Sequence, residues 1–137
     1  MSHPQMFDDD DPLLARVRGL ALALPSAAEK VSHGRPAFFT TKVFAYFGGS
    51  QKVAGDWVQH PACVLVLPDG DDRRSLLEEG DGRVFSPAYL GPSGWLGVQL
   101  PPARAAKRHW AEVSELLDAS YRATAGRRLV AQLDALG

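Results

Sequence analysis

A single cysteine, Cys63, stands among 137 residues, so no internal disulfide can form and no multi-cysteine zinc site can be built. An excess of one charge is also missing. Fifteen Lys and Arg face sixteen Asp and Glu for a formal net charge of -1, and bulk charge therefore cannot drive strong unspecific binding to nucleic acid or to an anionic membrane. Long apolar runs are absent. The most apolar early stretch, Leu20 to Leu24, stops at Pro25, far short of the roughly 18–20 residues that cross a bilayer. The first eleven residues carry four consecutive Asp where an export signal needs positive charge. There are no repeats, low-complexity tracts or linkers. The expectation is a cytoplasmic single domain over 1–137, with 1–11 as a flexible tail and no membrane partner. At 45% hydrophobic and 9% aromatic, the chain has enough apolar surface for one core.

Leu13, Leu14, Val17, Leu20 and Leu24 recur at helical spacing behind the Asp run, which predicts a helix from Pro12 to Leu24, closed by Pro25. From Glu29 to Leu100, Gly and Pro punctuate short runs rich in Val, Phe, Tyr and Trp, a texture that suits strands. The expected strands are Lys30 to His33, Ala37 to Phe39, Val43 to Phe47, Ala62 to Leu67 and Trp95 to Leu100. Thr40-Thr41-Lys42 is short enough to make the second and third an antiparallel hairpin, and Gly48-Gly49-Ser50 reads as the next reversal. Asp69 to Asp72 offers caps for a brief amphipathic helix through Leu76 and Leu77, ended by Gly80. Trp110, Val113, Leu117, Tyr121 and Thr124 keep one face from Lys107 to Thr124, and after Gly126 the pattern restarts at Leu129, Val130, Leu133 and Leu136. Helix, strands, then helices, without strict alternation, predicts an α+β fold: an antiparallel β-sheet with N- and C-terminal helices packed on one face. Trp110, Val113, Leu117 and Tyr121 are expected in its core.

No catalytic constellation is visible. His60 and Cys63 are two metal-capable residues without a second pair, and behind Asp69, Asp71 and Asp72 the Glu expected near the twelfth position of a calcium loop is displaced while Arg73 and Arg74 neutralise the site. Ser93 in Gly91-Pro92-Ser93-Gly94 does not form a nucleophile elbow, and Gly48 to Lys52 lacks the ending of a P-loop. The expectation is no catalytic residue, no metal and no cofactor. What remains is a polar and aromatic group: His33, Arg35, Lys42, Tyr46, Tyr89 and Trp95. Arg35, between Gly34 and Pro36, has extended backbone and a guanidinium suited to a planar anion such as phosphate or carboxylate. His33, two residues away on a strand, would share its face.

Ser32-His33-Gly34-Arg35-Pro36-Ala37-Phe38-Phe39, Lys42-Val43-Phe44-Ala45, Pro87-Ala88-Tyr89-Leu90-Gly91, Gly94-Trp95-Leu96-Gly97-Val98 and Leu116-Leu117-Asp118-Ala119-Ser120-Tyr121 follow one another in an order that resembles the MmcQ/YjbR family, from about Leu13 to Thr124. The resemblance implies a frataxin-like (CyaY-like) α+β fold, also compared with a double-wing arrangement, and a family label of DNA-binding; no catalytic set travels with it. Residues 100–137 carry six Arg and Lys against four Asp and Glu. Two binding functions are therefore expected ahead of a third class, an enzyme, which no nucleophile, metal cluster or cofactor motif favours. One is a DNA-binding module of modest, salt-dependent affinity and low sequence specificity, using Arg35, Lys42, Arg73, Arg74, Arg104, Lys107 and Arg108. The other is a non-catalytic domain that binds a small anion or a protein partner through His33, Arg35, Tyr46, Tyr89 and Trp95. A monomer or weak dimer is expected in either case.

Overall fold

The Asp run sets the first helix. Asp11 accepts the Leu13 N–H through Oδ1 at 2.9 Å, and Pro12 takes the first helical position, where a missing N–H costs nothing, so α1 spans Pro12–Ala21. The computed structural model describes residues 4–79 and 82–137. α1 ends at Ala21, short of the expected Leu24; Pro25 restricts only Leu24, and the helix has already given way to turns before it. The chain turns instead, with Leu24 N–H donating to Ala21 O and Ala27 N–H to Leu24 O. Ahead of α1, in the segment expected as a tail, Met6 N–H donates to Gly34 O at 2.8 Å, and Asp9 meets Arg18 at 2.6 Å. Arg18 also grips Glu29 with two hydrogen bonds of 2.8 Å.

The strands are β1 (Ala28–Ser32), β2 (Arg35–Phe39), β3 (Val43–Val53), β4 (Asp56–Val66), β5 (Val84–Phe85) and β6 (Leu96–Gln99). They form one antiparallel sheet in the order β1-β2-β3-β4-β6-β5. β5 is an edge strand that the sequence pattern does not announce. His33 and Gly34 make the two-residue turn between β1 and β2, with φ of 53° and 83°, the paired left-handed conformation that follows strand twist. His33 therefore lies on a turn and not on a strand. Nor does the chain reverse at Gly48-Gly49-Ser50: β3 runs straight on to Val53, and the reversal falls at Ala54 and Gly55, with φ of 51° and 86°. The glycines serve a bulge instead. Phe47 pairs with Val64 but Gly49 with His60, so residues 61–63 of β4 are set against Gly48.

Three helices complete the chain: α2 (Gly70–Glu79), α3 (Lys107–Thr124) and α4 (Arg127–Ala135). α1 and α3 cover one face of the sheet, as the periodicity predicts. Leu14 and Val17 of α1 and Trp110, Val113, Leu117 and Tyr121 of α3 are buried with Phe38, Phe44, Phe47, Val64, Val66 and Val98. Burial of each such large side chain contributes about 1.5–3 kcal/mol. A polar pin crosses this core: Ser120, 0% exposed, donates to Phe44 O and accepts the Leu67 N–H at 2.8 Å, tying α3 to the ends of β3 and β4. Tyr121 reaches Pro25 O at 2.7 Å and holds the turn after α1. α2, capped by Asp69, whose Oδ1 accepts the Asp72 N–H, buries none of its residues, and its expected end at Gly80 lies outside the described residues. Among the described residues, no helix is long and apolar enough to cross a membrane.

Candidate functional site

The sheet face turned away from α1 and α3 carries a smaller apolar cluster. Cys63, Leu65, Phe85 and Trp95 are buried there, with Val43, Tyr46, Leu67 and Leu90 packed against them. Beside this cluster opens a cavity of about 630 Å³. Its walls are the β1–β2 turn with Ser32, His33 and Arg35, the middle of β3 with Tyr46 and residues 48–50, Trp57 and Gln59 of β4, the loop residues 88–90, and Met6.

Arg35 is built into this wall. The register that pairs Ala37 with Tyr46 sets Arg35 opposite Gly48, and the guanidinium lies over that glycine, where a Cβ would overlap Nη1. Nη2 donates to Gln59 Oε1 at 2.7 Å. Burial pulls the Arg35 guanidinium below the usual arginine range, with a smaller opposing effect from Cys63. Among the described residues no carboxylate stands within ion-pair distance of it, although Arg18 and Arg122 each meet two and Arg83 meets Glu112. A half-buried guanidinium with donors to spare has the chemistry to hold a planar anion. Tyr46 stands next along β3; burial raises its hydroxyl, a hydrogen bond with Ser32 opposes that, and its ring lies 5.7 Å from that of Trp95.

His60 and Cys63 are both engaged within the fold. His60 Nε2 meets Gln51 Oε1 at 2.7 Å, its Nδ1 meets Gln99 Nε2 at 2.7 Å, and its ring stacks on Phe85 at 4.0 Å. Since Gln99 Nε2 can only donate and Gln51 Oε1 only accept, the neutral ring with the proton on Nε2 satisfies both partners. Burial, and then the charge of Arg35, lower the His60 pKa, in keeping with that neutral form. Burial pushes the Cys63 thiol up to about 12, far from a reactive thiolate at neutral pH. Among the described residues, no three His, Cys, Asp or Glu side chains gather as a metal-binding group.

Of the residues singled out in the sequence, the cavity gathers His33, Arg35, Tyr46 and Tyr89, while Trp95 is buried behind Tyr46. The rest lie outside it. Lys42 is exposed at the β2–β3 turn, and Arg73 and Arg74 sit on α2, with Arg73 Nε buried and without a hydrogen-bond partner. Arg104, Lys107 and Arg108 are exposed around the start of α3. Trp57 and Gln59 also line the cavity, and a reversal at Gly48 to Ser50 leaves no place for the outer half of the β3–β4 hairpin that carries them. The signal was present: Ala54-Gly55 is a two-residue turn flanked by Gln51, Val53, Trp57 and Gln59 in alternation. A second cavity, of about 520 Å³, opens between β6 and α3 and is lined in part by Arg83 and Glu112, which are bridged at 3.1 Å.

The YjbR family model matches residues 22–123. This chain belongs to the YjbR family. The matched region runs from the end of α1 almost to the end of α3, so every wall of the Arg35 cavity except Met6 is family sequence. The YjbR chain is also similar to a crystal structure, that of the Deinococcus radiodurans protein DR2400 with domain DUF419, at a TM-score of 0.53. That likeness covers 81% of this chain and 78% of that one at 15% identity, and is a likeness of fold. No curated protein matches the chain.

Proposed function

We propose that this YjbR chain binds a small anionic ligand in the cavity on the sheet face away from α1 and α3, as a cytoplasmic, non-catalytic domain that is monomeric or weakly dimeric. The observation that carries the reading is the half-buried Arg35 guanidinium, positioned by Gly48 and Gln59 and unpaired with any carboxylate among the described residues. Replacing Arg35 by Lys keeps the charge and loses the planar fork. The reading expects Arg35→Lys to weaken inorganic phosphate binding in calorimetric titration while the melting temperature stays within about 2 °C, since only one hydrogen bond of about 1 kcal/mol is exchanged. A sharp fall in melting temperature without ligand would make Arg35 a structural residue and end this reading.

A second reading, DNA binding of modest affinity and low sequence specificity, draws on one further observation. Arg104, Lys107 and Arg108 are exposed where α3 begins with no side-chain cap and no acid in its first turn, and the free N–H groups there favour phosphate oxygens. Lys42, Arg73 and Arg74 would add contacts elsewhere on the surface. This reading expects duplex or single-stranded DNA to bind more tightly as salt falls; no binding with tens of micromolar protein at roughly 50 mM salt would overturn it.

A further inference from the structure

We infer that the anion in the Arg35 cavity is carried on a planar ring, so that the ligand is of the nucleotide class: a phosphate held by Arg35 and a base stacked on Trp57 and Tyr89. This inference rests on the anion reading and adds the ring to it. Of the three tryptophans, Trp95 and Trp110 are buried, whereas Trp57 is 48% exposed at the cavity mouth. Tyr89 is 85% exposed, with a backbone φ of 66° that side chains other than glycine rarely adopt. The loop is held in place by the Ala88 N–H, which donates to Ser50 O at 2.8 Å. Among the described residues the only ring contact of Tyr89 is with Trp57, and strained backbone of this kind collects at ligand sites.

The geometry of the pair suits a third ring. The Trp57 and Tyr89 centroids are 5.9 Å apart and their planes are tilted by 37°, too close for a ring between them, so a base would stack on the solvent-facing side of the pair, where both rings are exposed. Lys52, paired with Trp57 across the hairpin, has its Nζ over the Trp57 ring, 5.2 Å from the centroid, and adds positive charge beside the platform. Trp57 and Gln59 are two residues apart on β4 and so share a side of the strand, about 6.6 Å apart. Gln59 in turn holds the Arg35 guanidinium. The residue that steadies the anion receptor and the aromatic platform are thus neighbours on one side of β4, and both line the same cavity. The cavity of about 630 Å³ lies in the range of small-molecule sites.

The test compares inorganic phosphate, adenosine, adenosine monophosphate and a four-nucleotide single strand of deoxyadenosine by calorimetry on the full chain, with tryptophan emission followed in parallel. Base stacking on an aromatic platform predicts that the monophosphate binds about tenfold more tightly than phosphate and quenches Trp57. Trp57→Ala should remove that preference, so that phosphate and monophosphate bind alike. Tyr89→Gly should weaken the monophosphate without lowering the melting temperature, because glycine relieves the positive φ; a merely structural Tyr89 would instead lose stability. If the single strand competes with the monophosphate and depends equally on Trp57, the base belongs to a strand. If it does not compete, the ligand is a free nucleotide, and both results support the ring. Equal affinity for phosphate and monophosphate, or a Trp57→Ala protein that binds the monophosphate as before, overturns the ring while the anion reading stands. Failure of every probe to bind overturns both.

Discussion

Gly48→Ala is the substitution that most directly interrogates how the cavity is built. The new methyl group meets two obstacles: the backbone φ of 80°, and Arg35 Nη1, which it would overlap. Left-handed backbone costs an alanine about 1–2 kcal/mol. The guanidinium can swing away, but it then gives up the 2.7 Å hydrogen bond to Gln59, worth about 1 kcal/mol at a partly exposed site. The total expected loss is about 2–3 kcal/mol, which for a domain of this length corresponds to a fall in Tm of about 7–10 °C. Urea unfolding followed by far-ultraviolet circular dichroism measures the loss, and a double-mutant cycle with Arg35→Ala separates its parts. With Arg35 truncated the methyl group has room, so Gly48→Ala should there cost only the backbone term, leaving a coupling of about 1 kcal/mol. Phosphate affinity should fall in the single variant as well, because Arg35 no longer occupies its place. Equal stability losses in both backgrounds, together with undiminished phosphate binding, would show that Arg35 and Gly48 do not form the unit described.

Two more outcomes follow from other parts of the molecule. Ser120→Ala leaves Phe44 C=O and Leu67 N–H without their partner in a dry core and should cost about 2–4 kcal/mol in urea unfolding; a loss below about 1 kcal/mol would mean that water or a backbone shift replaces the hydroxyl. His60 has a pKa lowered from 6.5 in the folded chain, so the unfolded chain takes up its proton first as pH drops. Its contribution is fully present above pH 6.5 and is lost as pH falls from there through the lower folded value, so the acid-side slope of stability should shrink in His60→Gln, and an unchanged slope would refute the assignment.

The elements most legible in the sequence are those whose signals are local. Asp11-Pro12 starts α1 because a cap and a proline act within one turn, and the apolar positions of α3 lie on one stripe that the sheet buries whole. The α+β class and the hairpin of β2 with β3 are read from the same short-range periodicities. Errors appear where a local signal has two tertiary meanings. Gly48-Gly49 reads as a turn because glycine permits one, yet in the fold it leaves space under a bulge for a guanidinium from another strand. Likewise Pro25 announces an end, while the ending of α1 before Leu22 depends on turns that Tyr121 pins from α3.

By itself the sequence determined the class of fold, the face that each long helix buries and the family, because each rests on residue order and spacing along the chain. The tertiary structure alone decided that His33, Arg35, Tyr46 and Tyr89 meet around one cavity, that Gln59 steadies the guanidinium, and that Trp57 stands open at its mouth. Register across three strands, a bulge and a loop hydrogen bond bring those side chains together from residues 33 to 89. Exposure and the absence of a counter-ion are properties of that assembled surface, and no stretch of chain carries them by itself.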